Sequence, residues 1–135
     1  MTLRELVQDI TFQVVSGSLD MEVESLVYDS RKAGPGSLFV CIKGAAFDGH
    51  GFVSQVVEAG CKALVVMDDV SVPEGVTVLK VEDTRYALAF LSAAYFGHPA
   101  KKLTTIGITG TKGKTTTTYM VRSILEHAGH KVGLI

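Results

Sequence analysis

Residues 103–118 constrain this chain more than any other stretch. A β-branched, apolar run, Leu103-Thr104-Thr105-Ile106-Gly107-Ile108-Thr109, leads directly into Gly110-Thr111-Lys112-Gly113-Lys114-Thr115, and an amphipathic helical pattern follows. Strand, glycine loop and helix in that order form the setting in which a loop can wrap a phosphate. Glycine lets backbone N–H groups close on phosphate oxygens with no Cβ in the way. The helix N-terminus adds partial positive charge and unpaired N–H donors. Gly110, Thr111, Lys112, Gly113, Lys114, Thr115 and Thr116 are therefore the candidate nucleotide-binding residues. Lys114 is expected to reach the β- and γ-phosphates, and the Thr115 hydroxyl to complete a Mg²⁺ shell. The general spacing GxxxxGK[ST] asks for glycine at 108, where Ile108 stands; glycine falls at 110 instead, so the loop is a variant. Four threonines in a row, Thr115 to Thr118, are poor helix formers. Placing them at a helix start suggests hydroxyls that face ligand or metal, with a simple packing role open for Thr117 and Thr118.

The rest of the chain alternates short apolar runs with helical patterns. Leu3, Leu6, Val7 and Ile10 predict an amphipathic helix over 2–10. Strands are expected at Phe12–Val15, Ser25–Tyr28, Ser37–Ile42, Ala63–Met67, Thr77–Val81, Leu103–Thr109 and from Lys131 onward. Lys43 to Gly51, with three glycines and no period, reads as a loop. Helices are expected at 52–59, stopped by Gly60, at 84–96, capped by Asp83, and at 115–128. Strands alternating with helices argue for an α/β fold with mainly parallel pairing. His98-Pro99-Ala100-Lys101-Lys102 reads as a linker, because proline blocks helix continuation there.

Charge changes sign at that linker. Residues 1–97 hold seven basic and thirteen acidic groups, a net of −6, and residues 98–135 hold six basic groups against Glu126 alone, a net of +5. A basic C-terminal quarter suits phosphate binding, whereas an overall charge of −1 argues against a nucleic-acid binder. With 47% hydrophobic and 20% charged residues, disorder is excluded. Cys41 and Cys61 stand in unrelated settings, so no disulfide framework or metal knuckle is expected and a reducing compartment fits. No apolar run approaches the roughly 18 residues of a membrane span, and Met1 to Asp9 has no signal-peptide core. The expectation is a cytoplasmic protein.

Ile106 to Thr118 (IGITGTKGKTTTT) resembles the ATP-binding loop of the Mur ligases, commonly GTNGKTTT. Upstream, Tyr28-Asp29-Ser30-Arg31, Gly34-Pro35-Gly36-Ser37-Leu38-Phe39-Val40, Lys43-Gly44 and Asp48-Gly49-His50 are similar to the UDP-binding N-terminal domain shared by two members of that family. One adds the third residue of the peptidoglycan stem peptide; the other adds D-alanyl-D-alanine. The threonine run followed by Tyr119, and His98-Pro99 before the strand, look more like the first. The resemblance covers essentially all 135 residues.

It implies a Rossmann-like UDP-MurNAc-binding domain over residues 1–100 and the start of a P-loop central domain over 101–135. It implies an ATP- and Mg²⁺-dependent ligase whose small-molecule substrates are UDP-MurNAc-dipeptide and a diamino acid. The D-Glu carboxylate takes the γ-phosphoryl of ATP, and the amine then displaces phosphate from the acyl phosphate. Tyr28 and Ser30 match uridine-contact positions, Ala45, Ala46 and Phe47 occupy the loop against the UDP, and Lys114 holds charge on the transferring phosphoryl. Lys112 stands where the family has asparagine; it either adds a cation beside the phosphates or faces solvent. The family's remaining metal carboxylates, carbamylated lysine and amino-acid pocket fall outside these residues, so the 135-residue chain alone is expected to be inactive. Glu126 lies a dozen residues along the helix from Lys114, about 18 Å at 1.5 Å per residue, too far for a shared metal. The alternatives are the D-alanyl-D-alanine-adding reaction and a non-catalytic fragment that binds UDP-sugar or nucleotide.

Other polar residues have plainer readings. Ser30 either contacts a base or satisfies a backbone group in the turn after Asp29. Arg31 is expected to salt-bridge, His50 to cap or lie at the surface, His98 to be solvated, and Cys41 and Cys61 to be core thiols.

Overall fold

The computed structural model describes residues 1–44 and 47–135, which fall into two compact units, Met1–Lys102 and Leu103–Ile135. The first is built on five short strands: β1 (Gln13–Ser16), β2 (Ser25–Val27), β3 (Ser37–Val40), β4 (Ala63–Val66) and β5 (Thr77–Lys80). They form one sheet in the order β1-β5-β4-β3-β2. β2, β3, β4 and β5 pair in parallel, and β1 joins β5 antiparallel. A parallel sheet is stable only with both faces covered, and period-2 alternation divides the coverage here. Leu38, Val40, Ala63, Val65 and Leu79 pack on one face with α1 (Leu3–Leu6) and α3 (Thr84–Tyr95). Phe39, Cys41, Leu64, Val66 and Val78 pack on the other with Val53 and Val56 of α2 (Val53–Glu58). Both faces of β3 and β4 are fully buried, so the runs SLFV and ALVV read as continuous hydrophobic strands.

Side-chain caps fix most helix starts. Thr2 and Glu5 make a reciprocal capping box at α1, and the Asp83 carboxylate accepts the Arg85 and Tyr86 N–H groups at α3. The first helix is shorter than its apolar period suggests. It ends at Val7, and Ile10 reaches the core from the turn beyond. Gly49–Phe52, of which Gly49–Gly51 were expected as loop and Phe52 as helix, is a 3₁₀ turn capped by Asp48. Pro99–Lys102 is another short 3₁₀ turn. His98 is only 32% exposed and lies 3.5 Å from the Asp9 carboxylate, so it is not simply solvated. Both cysteines are buried thiols, and burial pushes Cys41 up to about 12. No helix among the described residues is long and apolar enough to cross a membrane.

The second unit contains one regular element, α4 (Lys114–His127). The strands expected at 103–109 and from 131 onward do not form. A strand is a pairing rather than a property of its residues, and no ladder partner lies beside either run. None of residues 103–135 is buried, and Leu103, Ile106, Tyr119, Met120 and Ile124 are exposed. In hydrogen exchange, the amides of 103–109 should therefore exchange with little protection. Those of the buried strand β3 should exchange only on global unfolding. Equal protection of the two segments in the monomeric, ligand-free chain would contradict this.

Candidate functional site

Because β2, β3, β4 and β5 run parallel, the residues following them gather along one edge of the sheet, where ligands of open α/β sheets bind. Tyr28 follows β2 and is 66% exposed. Asp29 caps the 3₁₀ turn Ser30–Lys32, its Oδ1 accepting the Arg31 N–H at 3.1 Å. The Arg31 guanidinium closes a two-point pair on the same carboxylate at 2.9 and 2.7 Å. That pair holds the Asp29 carboxyl down at about 2. The turn's backbone is thus satisfied by Asp29. The Ser30 hydroxyl, half-buried, makes no hydrogen bond among the described residues.

Lys43 bridges Asp48, the Gly44 N–H donates to the Phe47 carbonyl at 2.8 Å, and the Gly49 N–H to the Ile42 carbonyl at 2.9 Å. A Cβ at Gly49 would sit 2.7 Å from the Ile42 nitrogen, so only glycine fits that approach. Phe47 is 76% exposed at the tip. Ala45 and Ala46, also expected to face the UDP, lie outside the described residues.

His50 is more than a capping or surface residue. Its side chain is only 9% exposed; Nδ1 lies 2.6 Å from Asp48 Oδ1, and Nε2 accepts the N–H groups of Met67 and Asp68 at 2.9 and 3.2 Å. Lys43 pairs with Asp68 at 2.7 Å, which raises the ammonium and lowers the Asp68 carboxyl. The Arg85 guanidinium donates to the Lys43 carbonyl at 3.2 Å. A cleft of about 300 Å³ lies here, lined by Lys43, Met67 and the residues from Glu82 to Arg85. One ligand atom from each of Asp48, His50 and Asp68 falls within 4.8 Å of the others. That spacing could suit a cation, but the Nε2 lone pair already serves two amides and Lys43 already pairs the Asp68 carboxylate. Chemically the cluster is a hydrogen-bonded ion network. The signal in the sequence was Asp48-Gly49-His50, an Asp cap with a histidine two residues on.

In the second unit, Gly110 and Gly113 both take positive φ, 150° and 77°. Gly113 is the left-handed N-cap of α4 and supplies no capping side chain, and the first turn holds no acidic residue. Lys114 Nζ donates back to the Gly110 carbonyl at 2.6 Å, which closes the loop on itself. The threonine run divides. The Thr117 and Thr118 hydroxyls bond the Gly113 and Lys114 carbonyls one turn back, while Thr115 and Thr116 make no such bond among the described residues. Glu126 is held by Arg122 at 2.8 Å.

Both units match known protein families. Residues 22–96 match the family described as "Mur ligase family, catalytic domain", and residues 108–135 match "Mur ligase middle domain". A curated relative from Clostridium perfringens, named UDP-N-acetylmuramoyl-L-alanyl-D-glutamate–2,6-diaminopimelate ligase, is 47% identical across the whole chain. The chain spans 28% of that relative's length. Among solved structures, a crystal structure of MurF from Acinetobacter baumannii is 35% identical with a TM-score of 0.71, covering 93% of this chain and 27% of that one. MurF from Thermotoga maritima in complex with ADP is 28% identical with a TM-score of 0.55, covering 76% of this chain and 23% of that one.

Proposed function

Since the chain belongs to the Mur ligase family, we propose that it supplies the UDP-sugar site and the ATP loop of a ligase that joins 2,6-diaminopimelate to UDP-N-acetylmuramoyl-L-alanyl-D-glutamate. One observation carries the reading: residues 1–135 align along their full length, at 47% identity, with a ligase of that name. The lower identity to MurF, 35%, weighs against addition of D-alanyl-D-alanine.

In this reading residues 1–100 hold the uridine end of the substrate. Tyr28 and Ser30 follow β2, and Phe47 follows β3, at the carboxyl ends of those strands; Ala45 and Ala46 are assigned to the same site from the family resemblance. The Ser30 hydroxyl is available because Asp29 already satisfies the turn, and exposed aromatic rings at Tyr28 and Phe47 offer faces for a base. Residues 101–135 hold ATP. The N–H groups at the start of α4 meet phosphate oxygens, and Lys114 exchanges the Gly110 carbonyl for the β/γ-phosphates. Mg²⁺ fits the donor set at Thr115, whose hydroxyl is not drawn back into the helix; when bound it supplies neutralising charge to the phosphates. Lys114 holds the negative charge of the transferring phosphoryl group.

UDP should raise the melting temperature of the 135-residue chain, because a ligand that binds only the folded state stabilises it by mass action. Ser30→Ala should weaken UDP binding by about 2- to 10-fold, the worth of one hydrogen bond. No saturable binding, or binding indifferent to Ser30→Ala, would refute the uridine assignment.

A further inference from the structure

We infer that His50 is a positioning residue: as the neutral Nδ1–H tautomer it fastens the 43–48 loop to the end of β4 and so sets where Phe47 meets the uridine end of the substrate. The inference rests on the UDP reading above and goes further by naming what holds that site in shape.

The tautomer follows from the neighbours. The Met67 and Asp68 amides can only donate, and both lie within hydrogen-bonding distance of Nε2, at 2.9 and 3.2 Å. Nε2 therefore carries its lone pair, and the ring hydrogen sits on Nδ1, 2.6 Å from Asp48 Oδ1. The same Asp48 oxygen accepts the His50 backbone N–H at 2.9 Å. One imidazole thus links the base of the loop to two amides just past Val66, the last residue of β4. The charged groups around it are Asp48, Asp68 and Lys43, and Lys43 adds a second tether between the loop and Asp68. Arg85 adds a third, from α3 to the Lys43 carbonyl.

Phe47 shows why the tethers matter. A ring that is 76% exposed is not placed by packing. Its position depends on the loop backbone, whose closing contacts are the Lys43–Asp48 bridge and the Gly44–Phe47 hydrogen bond. Removing the imidazole strands the Met67 and Asp68 amides, leaves Asp48 Oδ1 with only the His50 backbone N–H and frees the loop base, while both hydrophobic clusters of the sheet keep their packing.

The test uses the whole 135-residue chain with UDP as the probe. Nitrogen-15 spectra of the His50 ring should show a protonated Nδ1 and a bare Nε2 near neutral pH. His50→Ala should weaken UDP binding roughly tenfold, the worth of one to two hydrogen bonds. His50→Gln, whose Oε1 can still accept from the β4 amides, should recover much of that loss. Paired with Phe47→Ala, the effect of His50→Ala should be strongly less than additive; paired with Ser30→Ala it should add. A protonated Nε2 in the unaltered chain, or additive losses for His50 and Phe47, overturns the inference. So does UDP binding that Ser30→Ala weakens and His50→Ala leaves unchanged, an outcome that spares the uridine assignment. If the unaltered chain binds no UDP, that assignment fails first and takes this inference with it. Should His50→Ala fail to fold, the ring spectra and the glutamine variant, alone and combined with Phe47→Ala, decide.

Discussion

Phe39→Ala should destabilise residues 1–102 by about 3–5 kcal/mol. Phe39 lies in β3, between β2 and β4, and is the largest fully buried side chain in the molecule's described residues. It packs in the cluster that includes Cys41, Val53, Val56, Leu64, Val66 and Val78. Most of these neighbours are β-branched or short, with few rotamers through which to fill a vacated ring volume, so the cavity should persist. A domain of this size has only about 5–15 kcal/mol in hand. At roughly 4–8 °C per kcal/mol for 60–100 residues, melting should fall by about 12–40 °C. Urea unfolding followed by circular dichroism measures the change. A loss below about 1 kcal/mol would mean that the ring is not held in a rigid core.

Lys114→Ala should have the opposite profile. Lys114 is exposed, and its ammonium meets only the Gly110 carbonyl among the described residues, so unfolding without nucleotide should shift by no more than about 0.5 kcal/mol. ADP affinity should fall about 10- to 100-fold, because a charge-assisted hydrogen bond to phosphate is worth roughly 1.5–3 kcal/mol. Calorimetric titration of the two chains with ADP decides. Equal affinities, or a variant that melts early without ligand, would remove Lys114 from the nucleotide site.

The contrast between these two residues marks what could be read from the sequence. Apolar runs at Ser37–Ile42 and Ala63–Met67 announced strands, and Asp83 announced its helix, because those signals are local. The run Leu103–Thr109 carried the same β-branched signal and formed no strand, since pairing needs a neighbour that composition does not report. Gly49–Gly51 looked like loop because a single 3₁₀ turn has no apolar period. The site divided in the same way. The proposed phosphate loop was singled out from its own residues, but Ser30 and Phe47 only through a family resemblance. Ser30 could not be separated from Asp29 as the turn's hydrogen-bonding partner until the geometry assigned that bond to the carboxylate. His50 was undervalued because its partners, Met67 and Asp68, lie at the far end of another strand.

The helix starts have a consequence for anyone redesigning this chain. α1, α3 and the 3₁₀ turns at Ser30–Lys32 and Gly49–Phe52 each begin under a hydroxyl or carboxylate of their own, from Thr2, Asp83, Asp29 and Asp48. α4 begins at Gly113 with no such group. Glycine at 113 is also what the backbone asks for: at φ 77° an L side chain is strained, and a capping oxygen in place of glycine gains only about a few tenths of a kcal/mol. Such an oxygen would also occupy the amides of the proposed phosphate site, and a carboxylate would repel a phosphate there. The left-handed glycine thus leaves the first amides of α4 open, which is what the proposed nucleotide site requires. Libraries built on this chain should keep Gly113 and its neighbours fixed.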